Sequence, residues 1–431
     1  MNELSLVKVV CDQKYLVFRN VNDTVLPVGT FRMCLKTNIL DLSNNKLEAI
    51  RAGAFLGLTS LTELYLSNNR IEEIEPGTFH TLSKLQTFTM TGNSIKTLPE
   101  YEFTSPKIKY FNLNNNNLDY LPSTALVNLK YITLLDLSMN GLAEMDPASL
   151  INVQPGATII LNNNKLSNIS FRVNTTVIKP KVFSILKLSG NLIATLMRAS
   201  LGQLYKLNLI TLDLSFNQIN FIQSGVFRDF GSIANLFISH NELDHLNENV
   251  FRDLKKLKLL DLSYNRITTQ VFDLVLSDTI KYLNYSNNNI ETLVDFKWVY
   301  HTAKKDIDLD VSANKLDYLD ANRFSSKVRR VSLAHNNWKC SVLYNIIQIL
   351  ESRHIAVYEG DNYMVDNVNG IPCRSNHGKK FSYTNSRHEK ARMTALNNAS
   401  EIDDLISNGS GANNLSNILL VYIIAIIIVL V

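Results

Sequence analysis

One recurring pattern, L-x-L-x-x-N-x-L, constrains the fold of this chain more than any other feature of its sequence. It is clear in LDLSNNKLEAI and LDLSFNQINFI, and aligning the copies on the asparagine gives thirteen of them, 22 to 27 residues apart. Self-similarity at such a period predicts a solenoid, in which each copy packs against its neighbours. The aligned residues are Asn45, Asn69, Asn93, Asn116, Asn140, Asn164, Asn191, Asn217, Asn241, Asn265, Asn288, Asn314 and Asn336.

The positions of the pattern follow from strand geometry. Leu40 and Leu42 lie two residues apart, so both should point into the core from a short strand. Asp41 and Ser43 should then face outwards on the concave side. The asparagine ends the strand, and its buried amide can satisfy backbone groups of its own turn and the neighbouring turn. We therefore expect all thirteen asparagines to be structural.

A second column of apolar residues lies ten positions after most of these asparagines. We expect it to form a stacked spine on the convex side, where each side chain closes its own repeat. Asn174 takes this position after Asn164 and interrupts the column. The apolar members are Phe55, Phe79, Phe103, Leu126, Leu150, Leu201, Phe227, Phe251, Val275, Trp298 and Phe324.

The cysteines indicate an oxidising compartment. They fall in two pairs near the ends of the repeats, Cys11 with Cys34 and Cys340 with Cys373, and no C-x-x-C is present. We expect two disulfides and a secreted or surface protein. The opening MNELSLVKVVC is not a signal peptide, so we expect the start of the reading frame to be incomplete or already trimmed. Glycosylation sequons agree with secretion, at Asn22, Asn168, Asn174, Asn284, Asn398, Asn408 and Asn414.

The repeats need a cover at each end. The segment SVLYNIIQILESRH carries Leu343, Ile346, Ile347 and Leu350 at helical spacing, which predicts a capping helix after the last repeat. The strand-like KYLVF, between the first two cysteines, is expected to cap the other end. We predict an amino-terminal cap over residues 1–36, repeats over 37–336 and a carboxy-terminal cap over 337–375.

The repeated form L-x-L-x-x-N-x-L-x-x-L-x-x-x-x-F-x-x-L resembles the 24-residue class of animal extracellular leucine-rich repeat proteins, and the HNNWKC ending resembles insect members. The resemblance covers roughly Cys11 to Cys373. It implies an α/β solenoid: a horseshoe of about thirteen repeats with a parallel concave β-sheet and disulfide caps. Related proteins include neuronal adhesion molecules, Toll-like receptors and mosquito complement-associated immune proteins. Val342 stands where a second cap cysteine often lies, and we expect neither a coiled coil nor a cytoplasmic signalling domain after the cap.

The segments after the cap have a different composition. Residues 376–417 are polar and predict a disordered stalk. Residues 418–431, ILLVYIIAIIIVLV, are apolar but shorter than the roughly 20 residues of a membrane-spanning helix. Small residues, a short polar spacer and this apolar stretch favour a glycosylphosphatidylinositol (GPI) anchor signal attached at Asn408, or at Ser407. A short true membrane span is the alternative.

Binding fits the sequence better than catalysis. The formal net charge of +4 does not favour a nucleic-acid partner. We recognise no catalytic or metal-site motif, and we expect no cofactor. Exposed aromatic residues on a rigid sheet often supply binding hot spots. Those we place on outward strand positions of the concave face are Tyr65, Tyr110, Phe216, Phe237, His240, Tyr264 and Tyr282.

Two functions fit these features. The first is a lipid-anchored adhesion, recognition or co-receptor protein at the cell surface, with a protein ligand or a second copy of itself as partner. The second is a soluble or shed innate-immune protein that recruits effector proteins. A glycan at Asn284, two residues from Tyr282, would cover the aromatic residues of repeats eight to eleven. Binding there requires Asn284 to be unmodified.

Overall fold

A computed structural model describes residues 9, 11–103, 107–146, 148–153, 155–171, 184–268, 276–293, 307–322, 327–375 and 382–383. The predicted stalk falls mostly outside these residues, and the apolar segment 418–431 falls wholly outside them. The candidate anchor positions Asn408 and Ser407 lie outside the described residues as well. The same is true of the sequons at Asn174, Asn398 and Asn414, and of the spine positions Val275, Trp298 and Phe324.

The described residues form a leucine-rich repeat solenoid with one long parallel sheet on its concave side. Each repeat contributes one short strand, because the buried leucines of the pattern alternate with outward residues. The fifteen strands, in both chain and spatial order, are Tyr15–Val17, Ile39–Asp41, Glu63–Tyr65, Thr87–Thr89, Tyr110–Asn112, Leu134–Asp136, Thr158–Ile160, Ser184–Lys187, Leu209–Asp213, Asn235–Phe237, Leu259–Asp261, Tyr282–Asn284, Ile307–Asp310, Val328–Ser332 and Ala356–Val357.

Shorter elements follow the turns. Small parallel sheets pair Val25–Leu26, Ala49–Ile50 and Glu73–Ile74, then Tyr120–Leu121 with Glu144–Met145, Thr195–Leu196 with Phe221–Ile222, and Thr292–Leu293 with Tyr318–Leu319. A short α-helix, Arg198–Leu201, and a 3-10 helix, Leu204–Leu207, lie in the seventh repeat. The carboxy-terminal cap contains the helix Cys340–Ser352 and the strands Asn367–Val368, Ile371–Pro372 and Ser382–Tyr383.

The asparagines form a continuous ladder of hydrogen bonds, as predicted. Asn69 Nδ2 donates to the carbonyls of Leu66 and Leu42, both at 3.0 Å, and its Oδ1 accepts the Leu47 N–H at 3.0 Å. All thirteen asparagines accept a backbone N–H from the preceding turn in the same way, from Asn45 to Asn336. The ladder joins each repeat to the one before it, so buried backbone groups are satisfied between repeats.

The predicted apolar spine is confirmed where the structure describes it. Phe55, Phe79 and Phe103 are buried and stack in sequence, with ring centroids 5.6 and 5.3 Å apart. Phe31 extends the stack into the amino-terminal cap, 6.2 Å from Phe55. Leu126, Leu150, Leu201, Phe227 and Phe251 are buried at the corresponding positions of later repeats.

Both ends are capped as expected. Cys11 and Cys34 are disulfide-bonded, as are Cys340 and Cys373. The helix Cys340–Ser352 buries the four predicted residues Leu343, Ile346, Ile347 and Leu350. One element lies beyond the boundary predicted for this cap: Ser382–Tyr383, in the range assigned to the stalk, pairs with Asn367–Val368, and the Tyr383 ring packs edge-on against Tyr344 at 4.8 Å.

Candidate functional site

The outward residues of the sheet form rows because neighbouring strands pair in register. Residues after the first leucine of each repeat form one row, in which Asp261 pairs with Asn284 and Asn284 with Asp310. Aspartates of this row have a structural role. Oδ1 of Asp136, Asp213, Asp261 and Asp310 accepts the N–H of the serine two residues later, at 2.8 to 3.0 Å. The acidic column is therefore part of the repeat's turn chemistry.

The structure keeps the two early aromatic candidates apart. Tyr65 is half-buried, its hydroxyl donates to Glu63 Oε2 at 2.6 Å, and burial together with this carboxylate raises the pKa of the phenol. Tyr110 is 51% exposed and stands in a different row, with the strand Thr87–Thr89 between the two. Tyr65 and Tyr110 thus lie in different rows, two strands apart.

The five later candidates divide into two groups. Phe237 and Tyr282 lie on strands, as expected. Phe216, His240 and Tyr264 do not occupy outward strand positions, which corrects the sequence prediction. They lie in the turns after the strands and have left-handed backbone, with φ of 53°, 52° and 51°. Because this conformation redirects the chain, alternation along an extended strand does not apply to them.

Phe216, His240 and Tyr264 form a stack along the edge of the sheet. Successive ring centroids are 4.0 Å apart and the rings are within 10° of parallel. The two end members are 56% and 50% exposed. Most other repeats place asparagine or glycine here, residues that adopt positive φ at lower cost. Three bulky rings in this conformation cost stability, and such local strain concentrates at functional sites.

The surroundings of His240 disfavour its charged form. Partial burial lowers the pKa of its imidazole, and the nearby Asp261 carboxylate opposes that shift only in part. The stack therefore favours the uncharged imidazole.

Phe237 and Tyr282 line a cavity in the concave face. Its volume is about 300 Å³, and Asp261, Asp308, Asp310, Asn284 and Tyr358 also contribute to its walls. Residues from five consecutive strands of the sheet converge here, between Asn235–Phe237 and Val328–Ser332, followed by Tyr358 just after the last strand. Pairing shifts by one residue between Ile307 and Asp308, an irregularity of the kind that re-aims side chains next to sites.

Charge around the cavity is unevenly compensated. Arg329 and Arg330 each donate through Nε and Nη2 to Asp308, at 2.7 to 3.2 Å. Burial tends to raise the pKa of Asp308, but the hydrogen bonds from Arg330 and Arg329 outweigh it and lower that pKa. The Arg330 guanidinium also lies 5.1 Å from the Tyr358 ring centroid. Burial raises the pKa of Asp261, and hydrogen bonds from Ser263 only partly offset that effect.

The described sequons differ in accessibility. Asn22 and Asn168 are exposed. Asn284 is half-buried within the cavity wall, and its Oδ1 accepts the Ser286 N–H at 2.9 Å. A glycan attached to Asn284 would fill the cavity.

The described residues hold neither a candidate metal site nor a candidate membrane span. They include no group of three or more His, Cys, Asp or Glu side chains arranged to hold a metal ion. Among the helices of the described segments, none is long and apolar enough to cross a membrane.

Comparisons with known proteins agree with this architecture. The family described as "Leucine rich repeat" matches residues 14–71, 59–107 and 207–267. No curated protein sequence matches the chain. The matched residues, 14–107 and 207–267, carry the leucine-rich repeat pattern, and the asparagine ladder continues that pattern through the other described repeats.

Several solved structures share the fold. The APL1 leucine-rich repeat domain is 21% identical, with a TM-score of 0.63 over 84% of this chain and 91% of that chain. A chain of the LRIM1/APL1C complex is 19% identical, with a TM-score of 0.62 over 92% of this chain and 71% of that one. A chain of the Drosophila Toll–Spatzle complex is 20% identical, with a TM-score of 0.63 over 83% of this chain. This chain spans about half of that last one, at 52% of its length.

Sequence reasoning missed Asp308, Arg329, Arg330 and Tyr358. Asp308 pairs with Tyr282 on one side and with Arg330 on the other, so aligning the strands in register could have brought Asp308 and Arg330 together. Tyr358 follows the capping helix, where no repeat position identifies it.

Proposed function

We propose that this chain is an extracellular recognition protein that binds a protein ligand through the concave side of repeats eight to eleven. The observation that carries the proposal is the exposed stack of Phe216, His240 and Tyr264 beside the cavity lined by Phe237 and Tyr282. Aromatic anchors next to a pocket are typical of interface hot spots. A rigid sheet holds them in place, so little ordering entropy is lost on binding.

The similar folds support protein binding as the activity. Two of those structures are complexes, LRIM1/APL1C and Toll–Spatzle, and the latter is described as a hub in development and innate immunity. By analogy, we assign this chain to recognition at the cell surface. The activity can take the form of adhesion, of a co-receptor role or of homophilic binding. The two disulfides support an oxidising, extracellular location.

We further propose attachment by a GPI anchor. The support is the pattern of small residues at Asn408, Gly409 and Ser410, a polar spacer and the apolar stretch 418–431. Treating intact cells with a phosphatidylinositol-specific phospholipase should release an epitope-tagged chain into the medium. Retention on treated cells would contradict the anchor. Chain already present in untreated medium would favour the soluble immune role instead.

The binding surface is tested separately. The full chain is displayed on cells and exposed to a panel of multimerised secreted and cell-surface proteins, including itself. For each ligand found, the variant Phe216→Ala/Tyr264→Ala is compared with Tyr120→Ala/Tyr318→Ala, which removes two exposed tyrosines from the small sheets outside the concave face. We expect the first pair to weaken binding by about tenfold or more and the second to have little effect. Equal effects of the two pairs would refute the assignment.

A further inference from the structure

We propose that the cavity between Phe237, Tyr282 and Tyr358 receives an arginine side chain of the ligand, with Asp261 and Asp310 as its carboxylate partners. This inference rests on the proposed function and names the chemistry that the ligand presents. The cavity combines aromatic walls with carboxylates, the two groups that a guanidinium ion pairs with in proteins. Its volume of about 300 Å³ is at the small end for binding sites and suits one side chain.

The charges around the cavity favour a cation. Three carboxylates, Asp261, Asp308 and Asp310, surround the space, and the two guanidinium groups beside it are both committed to Asp308. Counted as ionised, Asp261 and Asp310 contribute two negative charges and Asp308 with its two arginines contributes one positive charge, so the sum is one net negative charge. Asp261 and Asp310 lie in a partly desolvated setting, where a charge-assisted hydrogen bond is stronger than at the surface.

The spacing of the two carboxylates favours a guanidinium over a metal ion. Asn284 lies between Asp261 and Asp310 in the register, so two strand spacings, roughly 9.5 Å, separate their backbones. A single cation bound to oxygen at about 2.0–2.6 Å does not easily bridge such a gap. A planar group with five N–H donors can donate to both sides at once.

Acceptor capacity remains on both carboxylates. The serine N–H bonds use Oδ1 of Asp261 and of Asp310. A carboxylate offers about four lone-pair positions on two oxygens, so Oδ2 of each can accept from a ligand.

The protein already shows this recognition within itself. Arg330 lies against the Tyr358 ring and donates through two nitrogens to Asp308. A second aromatic ring and a second carboxylate, those of Tyr282 and Asp310, also line the cavity. An incoming arginine would complete a second such arrangement.

A matched pair of double variants isolates the cavity. Asp261→Asn/Asp310→Asn removes its two carboxylates, while asparagine can still accept the serine N–H, as Asn284 does for Ser286. The control Asp136→Asn/Asp213→Asn changes the same position of two earlier repeats, with the same turn hydrogen bonds and the same change in net charge. Neither control residue lines the cavity.

The probe is N-acetyl-arginine methylamide, titrated against the full chain and followed by saturation-transfer difference NMR, with the citrulline and lysine analogues in parallel. We expect saturable binding of the arginine probe, weakened about tenfold in Asp261→Asn/Asp310→Asn and unchanged in the control. The citrulline analogue should bind the unsubstituted chain no more tightly than the arginine probe binds Asp261→Asn/Asp310→Asn. Absence of saturable arginine binding, equal weakening in both pairs, or equal binding of citrulline or lysine would overturn the assignment. Because no partner protein is used, this outcome is independent of whether the aromatic stack binds a ligand.

Discussion

Replacing one asparagine of the ladder should lower the free energy of unfolding of the solenoid. The size of the loss follows from the hydrogen bonds that this asparagine makes. In Asn241→Ala, Ile219 N–H loses its acceptor at 2.9 Å. The carbonyls of Leu214, Ile238 and Ser239 each lose a donor, at 3.0, 3.1 and 3.0 Å. All three carbonyls keep another bond, from Asn217, Asn265 and the Phe216 N–H, so the N–H of Ile219 is the group left without a partner.

One orphaned buried donor and three carbonyls that each keep another bond correspond to about 3 kcal/mol of unfolding free energy. The assay is urea unfolding followed by circular dichroism, with hydrogen exchange of a peptide containing Ile219 as the local readout. The control is Asn220→Ala, since Asn220 is exposed and only three residues from another ladder position, Asn217. Its effect should stay within about 0.5 kcal/mol. Equal unfolding of the two variants, together with unchanged exchange at Ile219, would refute the reasoning.

Three further predictions concern the sequons, the cap and pH. Glycopeptide mapping should find Asn168 occupied and Asn284 unmodified, because a glycan at Asn284 would fill the cavity; full occupancy there would contradict ligand binding in it. Reducing Cys340–Cys373, which closes a 33-residue separation, should lower the free energy of unfolding by about 4 kcal/mol; an unchanged urea midpoint would contradict this. The pKa of His240 is lowered on folding, so protonation favours the unfolded chain, and stability should fall as pH drops below about 6.5. In His240→Phe the loss between pH 7.5 and 5.5 should be smaller; an identical loss would show that His240 is not its source.

The repeat fixed most of the architecture in advance. Leu40 and Leu42, the ladder asparagines and the helix residues Leu343 and Ile347 are buried where the periodicities placed them. These predictions succeeded because each depends on local geometry, two residues on a strand or three to four on a helix, repeated in identical settings.

The candidate site was less predictable, for two physical reasons. Phe216 and its two stacking partners were assigned to strands by counting alternate residues, but the turn adopts positive φ and ends the alternation. The cavity brings together Asp308 and Tyr358. Asp308 lies on a strand of the repeats, whereas Tyr358 follows a strand that comes after the capping helix. Aligning the strands in register could have brought Asp308 and Arg330 together, but a strand beyond the capping helix has no signature in the spacing of one sequence.

Hydrogen-exchange footprinting of the full chain with a bound ligand tests the central claim most directly. The account predicts slower exchange in peptides that contain the strands Asn235–Phe237, Leu259–Asp261 and Tyr282–Asn284 and the turns that follow them. Peptides from the convex spine, such as those around Phe55 and Phe79, should exchange at the rate of the free protein. Protection confined to the convex side or to either cap would contradict recognition through the concave face.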